Sequence, residues 1–150
     1  MKTEERLRYE LIFHQASMVA SEAALKWLKE EEAKGPKYSV HSHPIGGEPG
    51  PAIGYMLDVC GGAWIGFRKR TSKVYKACKE IKYHERLALG DSEFMAKHSS
   101  KNIFKLPIRH TLSGRQEMGL HVAAMEAALE YLKRKLGDDA DSIYVHSYID

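Results

Sequence analysis

The sequence predicts an α/β fold, a mixed sheet with helices packed on it. Two observations carry that reading. Long amphipathic runs occupy residues 3–34 and 113–136, with apolar side chains at steps of three and four. Between and after them lie short alternating or β-branched runs bounded by glycine and proline. The order that results is α-β-β-β-α-(β)-α-β. With 150 residues, one domain and one core suffice. It divides into an N-terminal helix (1–36), a three-strand region (37–69), a basic helix and loop (70–102), and a long helix with a terminal strand (103–150).

In the first helix Leu7, Leu11, Met18, Leu25 and Leu28 supply the apolar side, and Gly35-Pro36 ends it. Tyr38 to His43 reads as a strand stopped by Pro44. Ala52 to Val59 and Ala63 to Lys69 read as two strands, with Cys60-Gly61-Gly62 as the hairpin turn between them. Thr71 to Leu89 reads as a helix with Val74, Cys78 and Ile81 inward, and residues 103–108 as an edge strand because of Pro107. The long helix takes Ser113 as N-cap and presents Met118, Val122, Met125, Leu129, Leu132 and Leu136; Gly137 ends it. Ile143 to Ile149 is the last strand. Glu22 to Lys29 and Glu126 to Lys133 echo one another, which two ordinary amphipathic helices explain more cheaply than a duplication.

Net charge is only +3, so charge as a whole does not point to nucleic acid; any such case rests on local clustering. Two cysteines, Cys60 and Cys78, make neither a zinc spacing nor a disulfide framework. The charged start MKTEERLRYE excludes a conventional signal peptide, and no apolar run approaches a membrane span. These features give the expectation of a cytoplasmic protein with no membrane partner.

The run Gly47-Glu48-Pro49-Gly50-Pro51-Ala52-Ile53-Gly54-Tyr55-Met56-Leu57 resembles the first turn and second strand of ribonuclease H-like domains. Thr111-Leu112-Ser113-Gly114-Arg115-Gln116-Glu117 is similar to the polar lead into that family's first helix. The resemblance covers about residues 37–69 and 108–150, and implies a ribonuclease H-like order with an extra N-terminal helix. It places the family's helix glutamate on Glu117, but its strand aspartates fall on Ser42 and near Ser147. Hydroxyls are weak ligands for a hard cation, so the implied two-metal site is degenerate. The expectation is a protein that binds nucleic acid or a nucleotide without standard nuclease activity. In that register Glu117 stands beside the strand carrying Ser42, and the terminal strand runs parallel to a central first strand.

Histidines offer a rival constellation. His41 and His43 share a strand face, and with His146 and Glu117 they form a candidate hydrolase site on a phosphate-containing substrate. In that reading Glu117, His43 and His146 are catalytic, while His41, His43 and Glu117 are candidate ligands for a divalent metal, whose identity the sequence leaves unknown. His110 stands just before the long helix. A third reading is a non-enzymatic interaction or inhibitor protein whose long helices make a homo-oligomer.

Basic residues crowd one stretch: Arg68, Lys69, Arg70, Lys73, Lys76, Lys79 and Lys82. Arg68, Lys69, Arg70, Lys73 and Lys76 are the candidate nucleic-acid contacts, able to track phosphates. Trp64, Phe67 and Tyr75 lie close in sequence as stacking groups or as core.

Overall fold

The computed structural model describes residues 1–98 and 105–150. Their elements are α1 (Thr3–Lys34), β1 (Tyr38–His41), β2 (Ala52–Met56), β3 (Gly61–Phe67), α2 (Lys73–Leu89), α3 (Asp91–Lys97), α4 (Met118–Leu136), a 3-10 turn (Gly137–Ser142) and β4 (Ile143–Ile149). Helix and strand content bears out the α/β reading. Of the expected 103–108 strand, residues 103 and 104 lie outside the described residues, while Lys105 forms a single bridge with Gly66 of β3.

The centre of the fold is the packing of α1 on α4. Ala16, Ala20 and Ala24 of α1, and Ala124 and Ala128 of α4, are all fully buried. Methyl groups at steps of four let the two helix axes approach closely, and Tyr9, Phe13, Leu120 and Leu132 fill the rest of the seam. Of the echoing segments, Ala24 and Ala128 are equivalent and both lie in this seam. The expected α4 stripe holds at Met125 and Leu132, which are buried, and is corrected elsewhere: Leu120, Ala124 and Ala128 join the buried line, while Met118, Val122, Leu129 and Leu136 are only half-buried. Side-chain size misled the reading, because close approach selects alanine.

The sheets differ more. Among the described residues there are two separate two-stranded antiparallel sheets, β1-β2 and β3-β4. β1 is therefore not the centre of a shared sheet. All four of its residues are exposed, Val40 included. β4 pairs antiparallel with β3, from Gly61↔Ile149 to Phe67↔Ile143, and not in parallel with β1. Gly61 and Gly62, expected in a hairpin turn, are strand residues. A Cβ at Gly61 would lie 2.1 Å from the Tyr148 carbonyl oxygen and 3.0 Å from Met118 Cβ, so glycine here serves close approach rather than a turn.

Helix α4 begins later than expected. Gly61 N–H donates to the Gln116 carbonyl at 2.9 Å and Met118 N–H to the Val59 carbonyl at 2.9 Å. Those bonds, with the Cys60↔Glu117 bridge, hold the chain extended at Glu117, and Glu117 rather than Ser113 is the N-cap residue. Helix α2 starts from Ser72, whose Oγ accepts from Tyr75 N–H at 3.2 Å. Asp139 joins three elements: its carboxylate accepts from Tyr9 Oη at 3.1 Å and from Val74 N–H at 3.3 Å.

Candidate nucleic-acid interface

The pairing of β3 with β4 sorts their side chains onto two faces. Ile65 and Ile143 face the core and are buried. The opposite face carries Gly62, Trp64 and Gly66 on β3, paired with Tyr148, His146 and Tyr144 on β4. This is a row of rings with a glycine opposite each tyrosine. A Cβ at Gly62 would meet the Tyr148 ring at 2.7 Å, and one at Gly66 would meet the Tyr144 ring at 3.4 Å. The glycines let the tyrosine rings lie across the neighbouring strand. Trp64 sits between them, its ring centroid 4.2 Å from that of His146 and 5.5 Å from that of Tyr148.

One cation stands over the middle of the row and another over its Tyr144 end. Lys105 Nζ lies 4.2 Å from the Trp64 ring centroid, and Arg68 Cζ lies 5.3 Å from that of Tyr144, both within cation–π range. Lys105 is positioned by its backbone. It bridges Gly66, Leu106 N–H donates to the Ile65 carbonyl at 2.8 Å, and the Lys82 ammonium donates to the Lys105 carbonyl at 3.2 Å. Burial pulls the Lys82 pKa below the ordinary lysine range. Lys82 is thus a buried support of this edge, not a member of the solvent-facing basic cluster.

Beside Trp64 and Tyr148 a cleft of about 440 Å³ opens along Gly61 to Trp64 of β3, with Lys105, Arg109, Arg115 and Asp150 among its charged walls. Its inner wall holds a histidine pair. Leu112 N–H donates to His110 Nδ1 at 3.2 Å, which leaves the His110 proton on Nε2. That proton is donated to His121 Nδ1 at 3.0 Å, and His121 Nε2–H donates to the Arg115 carbonyl at 2.6 Å. Every ring nitrogen is used once, with both rings neutral. Burial, and then the neighbouring His121, push the His110 pKa down to about 4.

The expected hydrolase site does not assemble. His41 is on β1, where its Nδ1 pairs with the Gly50 carbonyl at 2.8 Å and its Nε2 with Ser39 Oγ at 2.7 Å. His43 is exposed in the loop that follows. His146 stacks on Trp64 in the other sheet. Glu117 is buried and closed into an ion pair, with Arg115 Nε donating to its Oε2 at 3.1 Å and Arg115 Nη2 to its Oε1. Burial raises the Glu117 pKa, but the Arg115 hydrogen bonds and charge outweigh it and hold the carboxyl below its usual range. Among the described residues no three His, Cys, Asp or Glu side chains come together as a metal site. The ligand set His41, His43 and Glu117, and the catalytic set Glu117, His43 and His146, are corrected on that ground. Alternation along two unconnected strands cannot bring these groups to one point. Ser42 and Ser147 likewise stand apart: Ser147 is on β4, while Ser42 follows β1. Glu117 does reach the β1-β2 hairpin, sharing a surface groove with Val40, Tyr55 and Met56.

The basic cluster divides. Arg68, Lys69 and Arg70 are exposed at the end of β3, and Arg68 joins the aromatic row. Lys73 and Lys76 are exposed on α2, lining a different groove with Lys79, Met1 and Glu5. Phe67 and Tyr75 pack edge to face on one another at 5.1 Å. The sequence reading missed Tyr144, Tyr148, Lys105, Arg109 and His121. Tyr-x-His-x-Tyr on a strand facing Gly-x-Trp-x-Gly was the available signal, since alternate residues share a face.

No family model, no curated protein and no solved structure matches the chain. No helix of the described residues is long and apolar enough to cross a membrane.

Proposed function

We propose that this chain binds single-stranded nucleic acid, or a single nucleotide as its minimal unit, on the outer face of β3-β4. The observation that carries the reading is the Trp64 ring, with His146 stacked at 4.2 Å, Tyr148 at 5.5 Å and the Lys105 ammonium at 4.2 Å. Bases offer π-faces to such rings regardless of sequence, and stacking is worth about 1–3 kcal/mol per base. Lysine and arginine beside the rings meet the phosphates between stacked bases. Lys105 and Arg109 supply that charge at the cleft, and Arg68, Lys69 and Arg70 at the far end of the row. A duplex keeps its bases stacked inside, so the row favours unpaired strands. The binding reading needs no metal and no carboxylate cluster, and Glu117 belongs to the fold rather than to chemistry.

The chain has two tryptophans, Trp27 and Trp64, so Trp27→Phe leaves Trp64 as sole reporter. Titrating that variant with a short oligothymidine should quench and saturate its fluorescence. An unchanged emission at low salt would remove the proposal.

A further inference from the structure

We infer that α1 carries a second interface, an antiparallel seam with another copy of this chain. Helix α1 is apolar on two opposite sides. One side holds the buried Tyr9, Phe13, Ala16, Ala20 and Ala24. The other holds Leu7, Leu11, Met18 and Leu25, which are 50%, 56%, 54% and 44% exposed. At about 100° per residue these four fall within an arc of roughly 40°. Their steps of four, seven and seven are those of a coiled-coil seam, with His14, Ser21 and Leu28 completing the alternate positions. Nothing in this stripe is acidic or basic between Leu11 and Leu25 except the histidine.

Three features select a second copy as the occupant, and an antiparallel one. A seam of this period is complementary to another seam of the same period, so a two-fold pairing closes on itself. In the antiparallel register that layers Leu7 on Leu25 of the partner subunit, Leu11 meets Ser21 of the partner subunit, and His14 meets Met18 of the partner subunit. There a groove of about 430 Å³, bounded by Met18, Ser21, Pro107 and Arg109, stands open to receive the leucine. The same register sets Arg8 against Glu22 of the partner subunit, and by symmetry does so twice. A parallel pair offers no such match. It would point Arg8, Glu22 and Lys29 at Thr3, Ser17 and Ala24 of the partner subunit, and Ser17 and Ala24 are already engaged: Ser17 Oγ accepts from Arg109 N–H at 3.1 Å and Ala24 is fully buried.

Sedimentation equilibrium of the full chain tests this. The expected result is reversible association to twice the 17.0 kDa chain mass. Leu11→Glu should leave a monomer with unchanged helical circular dichroism, because Leu11 faces solvent. Arg8→Glu should raise the dimer dissociation constant by about tenfold, and Arg8→Glu with Glu22→Arg should restore it, since two exposed ion pairs change sign together. The charge pair reads the interface even if Leu11→Glu unfolds. A monomer at every concentration, a dimer indifferent to Leu11→Glu, or a double exchange that fails to restore the dimer would each overturn the inference.

Discussion

Tyr148 lies across Gly62, where an added Cβ would come within 2.5 Å of the tyrosine oxygen. Because Tyr148 is 44% exposed, its ring can swing into solvent when that space is filled. Gly62→Val should therefore cost little stability but lower affinity for an oligonucleotide by about tenfold, through loss of one stacking group. Gly61→Ala meets backbone instead, and should destabilise by about 1–3 kcal/mol in a denaturant titration. Equal stability losses at the two positions would contradict this division of roles.

Glu117→Gln separates binding from hydrolysis. The carboxylate is buried against Arg115, so neutralising it leaves the guanidinium without its charge partner. Chemical denaturation should show a loss of about 1–3 kcal/mol. Oligonucleotide affinity of the folded variant should be unchanged. Abolished binding with intact stability would restore Glu117 to the site.

The pH dependence of folding follows from the histidine pair. With its pKa depressed to about 4 in the folded chain, His110 binds less proton than it does unfolded, where it titrates at ~6.5. Stability from this group is complete above pH ~6.5 and is lost as pH falls towards 4, by about 3 kcal/mol. His110→Gln should flatten that part of the profile. A wild-type profile that stays flat from pH 7 to 4 would show that burial does not hold His110 neutral.

Charge reversal ranks the basic residues. Arg68→Glu with Lys105→Glu should weaken binding by about 10-fold or more and lower the salt slope by about 2, one for each removed phosphate contact. Lys73→Glu with Lys76→Glu should have the smaller effect, because those side chains line the groove beside Met1 and Glu5. The reverse ranking would move the interface to α2.

What was legible in the sequence, and what was not, divides along sequence distance. Helices α1, α2 and α4 and all four strands show in local periodicity and in the glycines at 35, 90 and 137, each with positive φ. Pairing does not show: β3 and β4 are joined from Phe67↔Ile143 to Gly61↔Ile149, far apart in the chain, and nothing local distinguishes a β2-β3 hairpin from the observed β3-β4 ladder. That single exchange of partners dissolves the expected histidine–glutamate site and creates the aromatic row. Arg68 and Trp64 stand out in the sequence as charge and ring, but Lys105, Tyr144 and Tyr148 acquire meaning only once the register sets Gly62 and Gly66 opposite the tyrosines.

The most direct measurement is fluorescence anisotropy of a labelled single-stranded oligonucleotide, across a salt series, with the wild type and with Trp64→Ala combined with Tyr148→Ala. The wild type should bind, with log affinity falling linearly against log salt, and the double variant should be weaker by about 10- to 100-fold at every salt concentration because stacking is lost. Absence of wild-type binding at low salt, or equal affinity of the two proteins, would contradict the assignment of the β3-β4 face as the binding surface.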